Sequence, residues 1–248
     1  MKHRTENVSN LKLLAKVRAA LRSEPRLGPA FHASELRIES DGVLVLAGEV
    51  PSVAAKKLAL ERVAALGGIA GIVDRLHVQA ATRMTDKEIR VHLRDMLIEE
   101  LSFKELEIRE ADADGLRLMR GAPTGARGNI DTEVQDGVVT LNGRVPGLTS
   151  KRLAGVMAWW VPGARDVVNG IAVEPPEDDG PDMIAEAVRV VLEKDPFVNA
   201  SQVRVVVLGT TVQLFGLVPS EVEKDAAERD AWCIFAVDKV INEIQVRP

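Results

Sequence analysis

One stretch of this sequence occurs three times without a gap, and this repetition limits the possible folds more than any other feature. Residues 51–78, 146–173 and 219–246 align over 28 positions, and each begins with Pro and ends with Val. The eight residues before each stretch also align. Equal spacing in three places is not expected by chance, so the chain is predicted to hold three copies of one module.

Each copy is predicted to contain a β-hairpin. Apolar residues alternate in 43–50 and its two counterparts, which is typical of a strand. Asp-Gly pairs at 41–42 and 136–137 precede two of these strands and favour a hairpin turn. A repeated glycine near the strand end is expected to form a kink or a bulge; it is Gly48, Gly143 or Gly216.

A helix and a short strand are predicted after each hairpin, and a further helix before it. Ser52 and Ser220 are placed to cap the later helix, and Ser220 with Glu223 fits the capping-box pattern. The earlier helices carry apolar residues at helical spacing: Leu14, Val17 and Leu21; Ile89, Leu93 and Leu97; Ile184, Val188 and Leu192. The predicted fold class is therefore α+β, with three αββαβ modules that each pack a small three-stranded mixed sheet against two helices.

The predicted domains, called repeats one, two and three, span residues 8–80, 84–175 and 181–248. Repeat two carries an insertion at about 103–128, in which residues 106–121 alternate around an Asp-Gly turn and predict an extra hairpin. The stretch 174–182 is acidic and rich in Pro, so it is expected to be an extended, solvated linker.

Composition excludes several classes of function. A net charge of −5 and 3% aromatic residues, with no Tyr, argue against a nucleic-acid partner. No run is long and apolar enough to cross a bilayer, and the N-terminal residues lack a signal-peptide pattern, so a cytoplasmic location is expected. The single Cys233 fits a reducing compartment.

No recognisable catalytic or metal pattern is present, so the chain is predicted not to be an enzyme and to need no cofactor. The four histidines are scattered: His3, His32, His77 and His92. Residues 68–71 match the GxxG loop of RNA-binding domains but fit a helix end and turn better. Residues 112–115 resemble the start of a calcium loop, yet they lack its later ligands and favour a hairpin turn. Cys233 is predicted to be a small buried hydrophobe.

One face of the second helix of repeat two differs from its counterparts. It carries Val156, Met157 and Trp160 where repeat one has Glu61, Arg62 and Ala65. This candidate apolar interface has two interpretations: packing against another repeat, the insertion or a second protomer, or docking onto a membrane or a foreign protein. The neighbouring Trp159 is expected to fill the core.

A lysine also recurs near the start of this helix in all three repeats, as Lys56, Lys151 and Lys224. The recurrence fits an anionic ligand, but a solvent-facing helix position is the simpler interpretation.

These motifs resemble the BON domain, named for bacterial osmotic-shock and nodulation proteins. The resemblance is carried by DGVLVLAGEVPS with IVDRLHV, by DGVVTLNGRVPG with VVNGIAV, and by GTTVQLFGLVPS with VINEIQV. It implies a non-enzymatic binding or scaffold protein that attaches to phospholipid surfaces or protein partners in osmotic or envelope stress. Two alternatives are a potassium-responsive sensor, as one relative binds potassium ions, and a self-assembling structural protein. The chain departs from periplasmic members in its third copy, its insertion and its N-terminus.

Overall fold

A computed structural model of the chain describes residues 2–39, 41–112 and 115–247, and for residues 2–9 it describes the backbone alone. Two compact units are present, Met1–Gln79 and Ala80–Pro248. The first contains repeat one, and the second contains repeats two and three. The exact limits predicted for the three repeats stay a prediction.

Repeat one has the predicted order of elements. It comprises α1 (Lys2–Arg22), β1 (Glu35–Ile38), β2 (Val43–Val50), α2 (Val53–Ala64) and β3 (Gly71–Val78). β2 lies in the middle of the sheet, antiparallel to β1 and parallel to β3. Val17 and Leu21 of α1 and Ala55, Ala59 and Val63 of α2 are buried in one core with the strands. The helical spacing in the sequence correctly predicted the buried stripe of α1.

The sheet of repeat two has more strands than predicted. It comprises α3 (Asp86–Glu99), β4 (Glu107–Asp112), β5 (Gly115–Arg120), β6 (Asn129–Gln135), β7 (Val138–Val145), α4 (Leu148–Trp160), β8 (Asp166–Asn169) and β9 (Ala172–Val173). The insertion forms the predicted hairpin, β4 and β5. Because β4 pairs in parallel with β6, the described part of this sheet has six strands and not three, with order β5-β4-β6-β7-β8 and β9 beside β7.

The insertion is tied to the rest of repeat two by Arg120, at the end of β5. Its guanidinium donates to the carbonyl oxygen of Ile98 at 2.6 Å, to that of Leu106 at 3.2 Å, and to that of Phe103. These carbonyls belong to the end of α3 and the turn after it. Burial lowers the pKa of the Arg120 guanidinium from its usual value.

Repeat three returns to the simple pattern. It comprises α5 (Pro181–Lys194), β10 (Val203–Leu208), β11 (Thr211–Val218), α6 (Glu221–Cys233) and β12 (Lys239–Val246). β11 is central, antiparallel to β10 and parallel to β12. Ser220 caps α6, but Glu223 does not complete the predicted capping box. Its carboxylate instead accepts a hydrogen bond from the Asn199 backbone N–H at 2.8 Å.

The repeated glycine does not form the predicted bulge. The strand pairing passes through Gly143 and Gly216 without a register shift. At Gly216 the φ angle is +150°, and a Cβ would lie 2.0 Å from the carbonyl oxygen of Gln202, the residue just before β10. At Gly143 a Cβ would lie 2.4 Å from the Asn129 carbonyl oxygen. The glycine is therefore required because two backbones approach closely, and not because the strand bulges.

A second repeated column ties the last strand to the helix. It holds Asp74, Asn169 and Asn242, and in each repeat the side-chain oxygen accepts a hydrogen bond from the backbone N–H two residues later. In repeats two and three the asparagine amide also donates to the carbonyl oxygen of the recurring lysine, Lys151 or Lys224. The asparagine in the sequence motif is therefore a link within the fold.

Repeat one makes the same link in the opposite sense. The Lys56 Nζ lies 3.0 Å from the Asp74 carboxylate and donates to the Leu76 carbonyl oxygen at 2.7 Å. Lys56 is 7% exposed, so the interpretation of this position as solvent-facing is wrong for repeat one. A buried ammonium requires such partners, and the aspartate in place of asparagine supplies the negative charge.

Replacing Asn242 by Ala is expected to lower the free energy of unfolding by about 1–3 kcal/mol, because its side chain makes hydrogen bonds on both sides. All three tryptophans lie in the Ala80–Pro248 unit, so urea unfolding followed by tryptophan fluorescence reports on that unit. Gln245→Ala, an exposed position on the same strand, is the matched control and should cost little. Equal losses for both variants would contradict the structural role of Asn242.

The turn after α6 contains a non-glycine residue with positive φ, Ala236 at +66°. The aligned residue of repeat one is Gly68, at +98°. Because an L-residue in this region costs about 1–2 kcal/mol, Ala236→Gly is expected to raise the free energy of unfolding by about 1 kcal/mol. Urea unfolding followed by tryptophan fluorescence measures the change, and a loss of stability would contradict the prediction.

Candidate functional site

The three residues of the candidate apolar interface lie on α4, where the structure covers them. Val156 is 0% and Met157 5% exposed, and Trp160 is partly buried. α4 contacts the helices α3, α5 and α6 as well as the strands of its own sheet. An outside partner would reach Val156 and Met157 only if a neighbouring helix moved away. Their assignment as binding residues stays a prediction.

The equivalent face of α6 is covered too. Asp230 and Cys233 align with Met157 and Trp160, and both are buried. In repeat one the same two columns hold Arg62 and Ala65, which are exposed. Repeats two and three therefore bury matching faces of α4 and α6, which pack against each other. In repeat one, Arg62 pairs instead with the Glu24 carboxylate of its own unit.

A hydrogen-bonded group of side chains joins α4 to repeat three. Trp160 donates its indole N–H to the Asp230 carboxylate at 2.8 Å. Asp230 is fully buried and also contacts the carboxyl group of Asp195, which follows α5 and accepts from the Phe197 N–H. Burial, with the nearby Asp195 charge, raises the pKa of Asp230 to about 8, although the Trp160 hydrogen bond and the Arg229 charge act in the other direction.

A buried carboxyl group with a raised pKa beside a second carboxyl group is typical of sites of acid-base catalysis. Here the pair is enclosed, since Asp230 is 0% and Asp195 6% exposed, and a substrate has no access to it. We therefore interpret the pair as part of the junction between repeats two and three. Among the described residues, no group of three or more His, Cys, Asp or Glu side chains is placed to hold a metal ion.

The N-terminal end of α4 lacks a cap of its own. Its N-cap residue is Gly147, where repeats one and three have the capping serines. The linker replaces the serine, because the Glu177 carboxylate accepts a hydrogen bond from the Leu148 backbone N–H at 2.8 Å. The predicted linker is exposed, as expected, but it also contacts the helix that precedes it.

Arg152, one turn further along α4, has a fully buried guanidinium. Its Nη2 lies 2.7 Å from both oxygens of Asp179 in the linker, and its Cζ lies 4.8 Å from the centre of the Phe235 ring. Lys151 places its Nζ 5.2 Å from the same ring. The Nε and Nη1 of Arg152 are buried without a hydrogen-bond partner, which is unusual for a guanidinium.

The sequence contained only a weak signal for these two groups of buried charged side chains, one around Asp230 and one around Arg152. Arg152 occupies a column with Lys57 and Asp225, so its charge differs between repeats without indicating a partner. Asp230 aligns with Met157 of repeat two, but a single aspartate on a helix is normally exposed, so the alignment does not indicate that Asp230 is buried. Neither the burial of these side chains nor their contacts follow from the spacing of residues.

Other residues that the sequence analysis considered lie in turns, in the core or outside the described part of the chain. Gly68 lies in the turn after α2, and Cys233 is buried as predicted. The calcium-like pattern includes Ala113 and Asp114, which lie outside the described residues, and so does the side chain of His3. No described helix is long and apolar enough to span a membrane.

The fold and the site together define a class of protein: a tandem array of small α+β modules, in which the junction between repeats two and three is buried. The chain belongs to the BON domain family, which matches residues 10–80, 119–175 and 181–248. The predicted resemblance is thus confirmed for all three segments. The second match begins within β5, because the insertion separates α3 from the rest of its repeat.

Solved structures give a weaker likeness. A C-terminal domain of CdsD, a structural protein of the type III secretion system of Chlamydia trachomatis, shares 13% identity at a TM-score of 0.24, over 95% of this chain and 98% of that one. A second CdsD structure shares 14% identity at the same TM-score, over 96% and 93% of the two chains. TM-scores this low carry no conclusion about arrangement or function. No curated protein matches the chain.

Proposed function

We propose that this chain is a non-catalytic binding protein whose tandem BON domains attach to a protein partner. The observation that carries the proposal is the match of three segments to a family of binding modules. A phospholipid surface, a second copy of the chain and a potassium ion are the alternative ligands. A role in osmotic or envelope stress and a cytoplasmic location belong to the same proposal.

The charge of the chain supports a protein over an anionic lipid surface. Attachment to anionic lipids normally uses clustered Lys and Arg, each contributing about 1 kcal/mol near the surface. This chain carries 37 acidic against 32 basic residues. Long-range electrostatic attraction to an anionic bilayer is therefore not expected.

Exposed apolar side chains at a sheet edge also support a protein partner. β5 is an edge strand of the six-stranded sheet, and its Leu116 and Leu118 are 50% and 58% exposed. Residues two apart on a strand share one face, so the two leucines form one apolar strip beside unpaired backbone groups. A strand of a partner protein can pair with such an edge.

The test compares Leu116→Glu/Leu118→Glu with Leu208→Glu, a control at another exposed leucine that is 63% exposed. Cross-linking and analytical ultracentrifugation measure protein partners and self-association, and flotation with neutral and anionic vesicles measures lipid attachment. Loss of a protein complex in the β5 variant alone supports the proposal. Vesicle binding that survives both substitutions, without any protein complex, would favour the lipid alternative. A melting temperature that rises with potassium but not with sodium would favour the ion sensor.

A further inference from the structure

We propose that the N-terminal end of α4, together with Arg152, is a binding site for an acidic peptide segment of a partner protein. Residues 177–179 of the linker occupy this site as an internal ligand. The inference rests on the proposed function, since it assumes that the partner is a protein, and it adds the chemistry that the partner would present: two carboxylates two residues apart.

The first support is the helix end. The Leu148 N–H donates to Glu177, while repeats one and three use a serine of their own at this point. A Cβ on Gly147 would lie 3.2 Å from the Glu177 carboxylate, which is closer than ordinary contact. Glycine therefore leaves room for a carboxylate, and the positive end of the helix dipole stabilises it. In repeat two, the Glu177 carboxylate from the linker therefore takes the place of the capping serine.

The second support is independent of the helix end and comes from Arg152. The guanidinium is 0% exposed, yet only Nη2 is used by Asp179, while Nε and Nη1 have no partner. A carboxylate that binds arginine well usually takes two parallel N–H groups from two nitrogens. The linker thus leaves much of the binding capacity of Arg152 unused, and a ligand that engages a second nitrogen would bind better.

The third support is the balance of charge and the exposure of the occupant. Lys151 and Arg152 both lie over Phe235, so two positive charges lie at this end of the helix. The linker brings two carboxylates to the same place: Glu177 accepts from the Leu148 N–H, and Asp179 pairs with Arg152. The Asp179 side chain is 39% exposed, although the arginine that it contacts is enclosed. The linker therefore lies at the surface, above a buried cation, where another acidic segment can replace it without opening the core.

The experiment uses the linker sequence itself as the probe. A fluorescent peptide with the sequence of residues 174–182 is titrated with the full chain, either wild type or carrying Glu177→Gln and Asp179→Asn. Neutralising the internal carboxylates removes the competitor, so the variant should bind the peptide about tenfold or more tightly than wild type, by anisotropy at low salt. Asp178→Asn, an exposed charge in the same linker, is the control and should behave as wild type.

Two results would overturn the inference. One is a peptide affinity that is the same for wild type and the double variant, including no binding to either. The other is equal binding of a peptide that itself carries E177Q and D179N, since the site would then not recognise carboxylates. If the double variant does not fold by tryptophan fluorescence, Asp179→Asn alone replaces it, because that variant keeps the Glu177 cap. A protein complex that forms without any peptide binding would leave the proposed function standing and remove this inference alone.

Discussion

Replacing Gly216 by Ala is expected to cost more than about 3 kcal/mol and to unfold repeat three under mild conditions. The added Cβ would lie 2.0 Å from the Gln202 carbonyl oxygen, a backbone atom that moves only if β10 and β11 separate. The φ of +150° adds strain for any side chain. Urea unfolding by tryptophan fluorescence and circular dichroism measures the loss.

Substitutions at two further glycines distinguish the cost of the steric clash from the cost of the backbone strain. Gly209→Ala has a φ of +61° but nothing within 4 Å of the new Cβ, so it should cost only about 1–2 kcal/mol. Gly48→Ala lies in the same repeated column as Gly216, but its nearest backbone oxygen, of His32, is 3.3 Å away, and a smaller loss is expected. If Gly209→Ala proved as harmful as Gly216→Ala, the close approach of the two backbones would not be the cause.

Replacing Asp230 by Asn is expected to remove a large part of the pH dependence of stability in the unit that contains it. The folded protein keeps the Asp230 proton up to about pH 8, because its pKa is raised by burial and by Asp195, while the unfolded chain loses it near pH 3.8. Between these values the folded state binds more protons, so the free energy of unfolding of wild type should fall as the pH rises. Below and above this window the contribution is constant.

Asn at position 230 has no proton to lose, and its side-chain oxygen can still accept from Trp160. The variant should therefore be more stable than wild type near pH 8, on the order of a few kcal/mol, and the difference should shrink toward pH 4. Urea unfolding at intervals from pH 4 to pH 9 measures this. Asp225→Asn, at an exposed position on α6, is the control for lost charge. Parallel pH profiles for wild type and Asp230→Asn would contradict the assignment.

Local patterns predicted most of the fold. The predictions were correct for the buried stripes of α1, α3 and α5, for the strands, and for the Asp-Gly turns at 41–42 and 136–137. Each depends on the period of apolar residues or on the conformational freedom of glycine. The glycine column was located correctly, but the strands pass through Gly143 and Gly216 without a bulge. A sequence shows that a side chain is not tolerated at Gly216, but it does not show whether a bend or the carbonyl oxygen of Gln202 excludes it.

The candidate site was less predictable, because its contacts join distant parts of the chain. An apolar column on α4 indicates that something covers it, and the pattern does not distinguish α5 or α6 from an external partner. The pairing of Arg152 with Asp179 depends on how the linker turns back, which no periodicity encodes. The prediction that Lys56 faces solvent was wrong for a related reason. Its partner, the Asp74 carboxylate, lies on β3, 18 positions away in the sequence.

The hydrogen bonds of Arg120 make the inserted hairpin part of the fold of repeat two. Its guanidinium donates to carbonyl oxygens on both sides of the turn that follows α3, including those of Ile98 and Leu106. Excising β4 and β5 to recover a module of ordinary length would leave those oxygens without their donor and would bare the edge of β6. Because backbone oxygens that lose their donor destabilise a fold, a chain that lacks β4 and β5 is expected to be less stable in repeat two.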